Sequence, residues 1–194
     1  MDRLAVERIR VPGVEVRVVA RCASTNAALL ADWQARTQRA EERTQRAAVL
    51  PVLLAAEEQT AGRGQRGRAW HSARGAGATF SLLRRMRCAP KELGALSLAV
   101  GVAAARALRG LGAREVELKW PNDLLAGGKH AGAKLGGILI QTRVQDDEIC
   151  AVVGIGINCR PVAALGKQLR RRLAALDELL PAPVERNEVI AAVA

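Results

Sequence analysis

Apolar runs broken by glycine, proline and charge divide the chain into alternating strand-like and helix-like stretches. Residues 5–20 alternate loosely between apolar and polar positions and predict a strand, or a hairpin turning at Pro12-Gly13. Ser24-Thr25-Asn26 offers a helix N-cap ahead of AALLADWQA. The helix that follows runs long and polar, with RTQRA at 36–40 and again at 43–47. This repeat has no apolar seam, so it reads as a solvated helical extension rather than a coiled coil. LPVLLAAEE (50–58) predicts a buried strand, and GATFSLLRR (77–85) the next one. Between Lys91 and Leu108, Leu93, Leu96, Val100, Ala104 and Ala107 recur at helical spacing, and Gly110 and Gly112 supply a stop. EVELKW (115–120) is a strand halted by Pro121. GGILIQTRV and EICAVVGIGIN are two apolar strands joined by QDD, a hairpin signal. This order predicts an α+β domain: a mixed, largely antiparallel sheet with helices packed against one face, not a doubly wound fold.

Composition narrows the function without fixing it. The 194 residues are 49% hydrophobic, enough for one real core, yet Phe80 and three tryptophans are the only aromatics, so Ala, Leu and Val must fill that core. The net charge of +11, mostly arginine, permits nucleic acid, acidic protein or an anionic small substrate as partner. The stacking aromatics that single-strand binders use are missing. Cys22, Cys88, Cys150 and Cys159 lie far apart with no C-x-x-C, and only His71 and His130 could assist them. Neither a metal site nor a disulfide framework is predicted; reduced thiols in a cytoplasmic protein fit better. The N-terminus is charged from Asp2 and Arg3, so it does not read as a secretory signal, and the apolar run at 93–105 is too short to span a membrane.

The chemistry is carried by glycine-rich and polar stretches that interrupt the strands. Gly62-Arg63-Gly64-Gln65-Arg66-Gly67 is a literal G-x-G-x-x-G. A dinucleotide site would need a helix opening on the third glycine, whereas GRAWHSARGAGATF has no helical apolar period. The loop also carries Arg63, Arg66 and Arg68, while a dinucleotide turn works through bare N–H groups. Lys119, Asn122 and Asp123, in KWPNDLL, stand at a strand end, where an Asx turn is the plain alternative. Lys134 precedes LGGIL at the mouth of a strand whose glycines admit close approach; its plain alternative is a solvated lysine. Gly154, Gly156 and Asn158 in GIGIN could equally form a bulge. Together these residues point to an anionic nucleotide substrate, gripped by arginines that cannot lose their charge and by a second cation, Lys134. No G-x-x-x-x-G-K-[ST] is present, so any ATP chemistry is not of the Walker type.

In this order and spacing, AGRGQRGRAW, KWPNDLL and KLGGIL resemble the catalytic domain of biotin protein ligases, from about Ser24 to the end of the chain. The resemblance implies a class II synthetase-like fold that activates biotin with Mg2+-ATP to biotinyl-5′-AMP. It then implies transfer of biotin to a lysine of the biotin carboxyl carrier protein of acetyl-CoA carboxylase. It places Ser24, Thr25, Asn26, Gln59, Gly62, Arg63 and Lys134 on biotin. It places Gly64, Gln65, Arg66, Arg68, Trp70, Lys119, Asn122 and Asn158 on the nucleotide side. Lys134, Asp123 and Arg63 would serve the chemistry, with Asp123 near where the acceptor lysine sheds its proton. Trp70 and Trp120 read as wall and hinge.

Three departures from the family pattern shape the expectation. With Ser24 so near the start, no DNA-binding helix-turn-helix domain is expected, and hence no DNA partner. With the end at NEVIAAVA, inside a predicted helix, residues 1–194 read as a catalytic domain cut short of a small C-terminal β-domain. Gln65 stands where many relatives carry arginine. No membrane partner is implied, and room is left for a homodimer. The rival readings are a lipoate–protein ligase-like acyl transferase and a non-enzymatic basic adaptor, the second of which gives no reason for glycine-arginine and lysine-glycine motifs at strand ends.

Overall fold

The fold is described from a computed structural model covering residues 2–43, 51–86, 90–145 and 148–194. Its first half contains β1 (Glu15–Val19), α1 (Thr25–Arg43), β2 (Val52–Ala56), β3 (Gly77–Met86) and α2 (Leu96–Gly110). Then follow β4 (Val116–Lys119), β5 (Asp123–Ala126), β6 (Ala133–Gln145), β7 (Glu148–Asn158), α3 (Ala163–Leu169) and α4 (Arg186–Val193). The strands join one sheet in the order β1-β2-β3-β7-β6-β5-β4. β1 and β2 pair in parallel, with α1 as their crossover, and the remaining pairings are antiparallel. The mixed, largely antiparallel α+β sheet is therefore as the sequence implies. Most of the second RTQRA repeat, Cys88 and most of QDD lie outside the described residues.

Two local expectations need correction. No hairpin forms at Pro12-Gly13. Val6–Arg8 is a single 3-10 turn instead, and Leu4 and Ile9 are buried in the main core. The alternation before Pro12 thus anchors a lead-in segment, while only residues 15–19 pair as a strand. Nor do the helices share one face. β2 is buried along its whole length, which requires cover on both sides. Leu53 and Ala55 point with Phe80, Ala104, Leu108 and Ile190 into the core beneath α2 and α4. Val52 and Leu54 point the other way, with Leu83 and Val152, against Leu29, Leu30 and Trp33 of α1. Because α1 covers only part of its face, the rest of that face is left for a site.

The chain ends are tied by a buried arginine. Arg186, wholly buried at the start of α4, donates Nε to Asp2 Oδ1 at 3.0 Å and Nη1 to Glu57 Oε2 at 2.8 Å. Its Nη2 meets the Asp2 carbonyl oxygen, and the Arg186 N–H reaches Asp2 Oδ2 at 2.5 Å. The Leu4 N–H donates to Glu57 Oε1 at 2.5 Å. Burial alone would raise both carboxyls; the bonds and charge of Arg186 reverse this and hold each below its ordinary value.

Because both folded pKa values are depressed, the native state binds fewer protons than the unfolded chain. The cluster's contribution is complete above the ordinary carboxyl values of 3.8 and 4.5 and is lost as pH falls through the lowered folded values. Arg186→Ala strands two buried carboxylates and should cost about 3–5 kcal/mol at neutral pH. Its acid sensitivity should also flatten or reverse, because burial and the Asp2 charge then raise Glu57 against the Leu4 N–H bond alone. Denaturant melts of both proteins from pH 3 to 8 test this; an unchanged acid limb in the variant would rule it out.

Candidate active site

The open face is built in rows across β3, β7 and β6. Ser81 pairs with Gly154, Thr79 with Gly156 and Gly77 with Asn158; Leu139 and Gly137 flank Gly154 and Gly156 on the other side. Alternate strand residues share a face, so successive rows stand roughly 7 Å apart. The glycines leave hollows in two of these rows. A Cβ on Gly154 would overlap the Asn26 amide, and one on Gly156 would overlap the Trp70 indole.

The first row is closed by the N-terminus of α1. Ser24, Thr25 and Asn26 are all less than 5% exposed, so their polar atoms need partners. The Ala27 N–H reaches back to Ser24 Oγ at 3.4 Å, the cap that the residue types predict. Ser81 Oγ donates to Asn26 Oδ1 at 2.6 Å, which leaves Thr25 to donate to Ser81 at 2.6 Å. Gln59 Oε1 accepts the Thr25 N–H at 2.7 Å, and Asn26 Nδ2 donates to Gln141 Oε1 at 3.0 Å and the Leu139 carbonyl oxygen at 3.2 Å. The result is a polar, hydrogen-bonded blind end.

The second row is walled by the arginine-glycine loop. Gly64 N–H donates to the Arg68 carbonyl oxygen at 2.7 Å and Trp70 N–H to that of Gly62 at 2.9 Å, folding the loop back on itself. Its tip, Gln65–Gly67, is one 3-10 turn with Arg66 at φ +57°, not a helix, so the dinucleotide reading fails here too. The Trp70 indole lies against Gly137 and Gly156, and its Nε1 is buried without a hydrogen-bond partner. Lys134 Nζ stands 5.7 Å from the indole centroid, within cation–π range.

Lys134 meets Asp123 where β6 and β5 begin, their pairing shifted in register at Leu124/Leu125. Lys134 Nζ donates to Asp123 Oδ1 at 2.5 Å, and Arg171 Nη2 to Asp123 Oδ2 at 2.9 Å. Burial pushes the Asp123 carboxyl up, but Lys134 and then Arg171 pull it below its usual value. For Lys134, burial is the largest influence and lowers the ammonium; Asp123 opposes it, while Arg171 and Arg68 add to it, so the net shift is down. Asn122 fixes the preceding turn, donating Nδ2 to the Ile138 carbonyl oxygen at 2.8 Å and accepting the Ile138 N–H at 2.9 Å.

The sequence-predicted residues converge unequally. Ser24, Thr25, Asn26, Gln59, Arg63 and Lys134 line one cavity, together with Gly64, Gln65, Arg68, Trp70, Asn122 and Asp123. Asn158 instead lines a second cavity, with Gly77, Arg160, Val162, Leu165 and Leu173, where the row after Gly156 opens. Its Nδ2 donates to the carbonyl oxygens of Lys134 and Ala174, both at 3.1 Å. Gly62, Arg66, Lys119 and the exposed Trp120 line neither cavity. Gly62 acts within the loop, where Trp70 leaves no space for a Cβ. Sequence reasoning passed over Ser81 and Arg171. A serine at an inward position of an apolar strand was the signal for the first; the second is hidden in a run of three arginines that reads as solvated.

The family model for the biotin/lipoate A/B protein ligase family matches residues 30–158. The chain is 44% identical over 104 residues to the bifunctional ligase/repressor BirA of Escherichia coli, covering 53% of this chain and 31% of that protein. It is 38% identical over 148 residues to the biotin–[acetyl-CoA-carboxylase] ligase of Mycobacterium tuberculosis, covering 74% of this chain and 49% of that one. The chain thus spans about a third to a half of these relatives' length. Among solved structures, it superposes on biotin acetyl coenzyme A carboxylase synthetase from Helicobacter pylori with bound biotinylated ATP. The TM-score is 0.63 at 27% identity, over 93% of this chain and 71% of that one. The biotin protein ligase of Aquifex aeolicus in complex with biotin and ATP gives 0.62 at 29% identity, over 92% and 66%.

The glycine row yields a direct test. Gly154→Ala should push the Asn26 amide out of its bonds to Ser81, Gln141 and Leu139. Overpacking and lost bonds together should destabilise the fold by about 1–3 kcal/mol. Asn26→Ala in the same background should recover part of that loss, because it removes the group that clashes. Additive losses in a double-mutant cycle would show that the two residues do not compete for this space.

Proposed function

We propose a function from one premise: the chain belongs to the biotin/lipoate A/B protein ligase family. The chain activates biotin with ATP to biotinyl-5′-AMP and passes the biotinyl group to a lysine of a carrier protein. The observation that carries this reading is Lys134, a half-buried cation in the polar first cavity whose backbone is bonded to Asn158 and Ala174 of the second, on one open sheet face. The ureido ring of biotin sits at Ser24, Thr25, Asn26 and Gln59, where donors and acceptors alternate over a few ångströms. The side chain of biotin runs past Trp70 along the cavity, and its carboxylate reaches Lys134. The nucleoside takes the second cavity beside Asn158.

The chemistry then follows from charge. A biotin carboxylate oxygen attacks the α-phosphorus of ATP, supplied with its own Mg2+, and pyrophosphate leaves. Negative charge grows on the phosphoryl oxygens, and Lys134 with Arg63 and Arg68 meets it at no cost in reorganisation. In the second step the acceptor amine attacks the acyl carbon and AMP leaves. That amine arrives as an ammonium and must lose a proton. Asp123 is the carboxylate at hand, but with two cations upon it, it is a poor base; it takes the proton only once one of them has moved. The biotin carboxyl carrier protein of acetyl-CoA carboxylase is the acceptor that fits this reading.

Pyrophosphate release that requires biotin and ATP together tests the function. Release driven by lipoate would shift the reading to the other branch of the family, which the polar blind end disfavours: a dithiolane has no donors or acceptors to match Asn26 and Gln59. Lys134→Ala should lower adenylate formation roughly 100-fold or more, with the melting temperature little changed. Near-normal adenylation in that variant would remove Lys134 from its assigned role.

A further inference from the structure

Asp123 carries two cations, and the second comes from outside the sheet. After α3 the chain turns at Arg170, at φ +48°, and runs back alongside the start of β6. The Lys134 N–H donates to the Arg172 carbonyl oxygen at 3.0 Å, and the Ala174 N–H donates to that of Lys134 at 2.9 Å. Asn158 Nδ2 binds the carbonyl oxygens of both Lys134 and Ala174, so this strap is fastened at its centre. Side chains alternate along it. Arg172 reaches away to the Ala131 carbonyl oxygen, and Arg171 reaches into the first cavity beside Gln65, Arg68 and Lys134.

We propose that Arg171 is a phosphate-binding cation of this site, able to exchange the Asp123 carboxylate for the phosphate of a bound nucleotide. The proposal rests on the adenylating function above. Three observations carry it. One carboxylate faces two cations, so the Lys134–Asp123–Arg171 cluster has a surplus positive charge before Arg63 and Arg68 are counted. The Arg171 side chain is 38% exposed, against 16% and 17% for Lys134 and Asp123, so its pair is the cheaper one to open. A guanidinium can fork onto two phosphate oxygens, whereas it holds Asp123 through a single nitrogen. The strap also bounds the second cavity through Leu173, Ala174 and Ala175, which sets Arg171 between the two cavities, where the phosphate of an adenylate would lie.

The exchange has a consequence for the second half-reaction. When Arg171 leaves for phosphate, Asp123 keeps only Lys134, its basicity rises, and it becomes better able to take the acceptor's proton. Adenylate formation would thereby prepare the base that the transfer step needs.

Titration calorimetry with AMP, adenosine and biotin, on wild type and on Arg171→Gln, Arg171→Lys and Asp123→Asn, separates the outcomes. Arg171→Gln should weaken AMP by about 10- to 100-fold, the worth of a charge-assisted hydrogen bond, and leave adenosine and biotin unchanged. Arg171→Lys, which keeps the charge without the fork, should recover part of the loss. Asp123→Asn frees Arg171 and should bind AMP at least as tightly as wild type. If Arg171 served only to hold Asp123, Asp123→Asn would lose AMP affinity as Arg171→Gln does, and the proposal would be overturned. Undiminished AMP binding by Arg171→Gln would overturn it as well. If biotin fails to bind wild type while the AMP pattern holds, the biotin reading falls and the phosphate role of Arg171 stands.

Discussion

The open face of the sheet depends on the side chains that are missing from it. At Gly154 and Gly156, any Cβ would occupy space already used by Asn26 and Trp70. Those two residues define the blind end and the wall, so the glycines set both the depth of the groove and its lining. A strand interior normally avoids glycine, which packs poorly and costs conformational entropy. Here β7 tolerates it because its opposite face, through Val153, Ile155 and Ile157, packs into the larger core. One strand therefore serves two purposes, with its alternation separating them.

Electrostatics complete what the glycines leave open. The cavity has one carboxylate, Asp123, among Lys134, Arg171, Arg68 and Arg63. Such an excess of cations is unfavourable on its own: burial is the main cause that lowers the Lys134 ammonium, and the charges of Arg171 and Arg68 add to it. A polyanionic ligand relieves that repulsion on binding, so part of the binding energy is stored as mutual repulsion in the protein. The Arg186 cluster is the opposite design. There one buried cation is matched by two carboxylates and by backbone partners, and it joins the start of α4 to Asp2 and Glu57.

Much of this was legible in the residues themselves. Ser24 caps α1 because its type and the apolar turn after it demand a cap, and KWPNDLL forms the β4–β5 turn because Pro121 stops one strand before Asp123 begins the next. The apolar run of β2 implies two covered faces, yet periodicity alone does not say which helix goes to which face, and α1 alone takes the side opposite α2 and α4. Among the described residues the alternation before Pro12 meets no partner strand, and pairing is a long-range fact that a local pattern cannot supply. Arg171 was hidden for a related reason. In a run of three arginines, the one turned inward is chosen by the bonds of its neighbours to Lys134, which no spacing rule encodes.

Those same bonds hold Lys134 in place. The N–H and carbonyl oxygen of Lys134 are engaged by Arg172 and Ala174, and Asn158 adds a third bond from β7. The backbone at residue 134 is thus fixed on three sides, and the strap that fixes it also bounds the second cavity. Asn158 itself lines the second cavity, and its bonds also join the wall of that cavity to the backbone of Lys134 in the first.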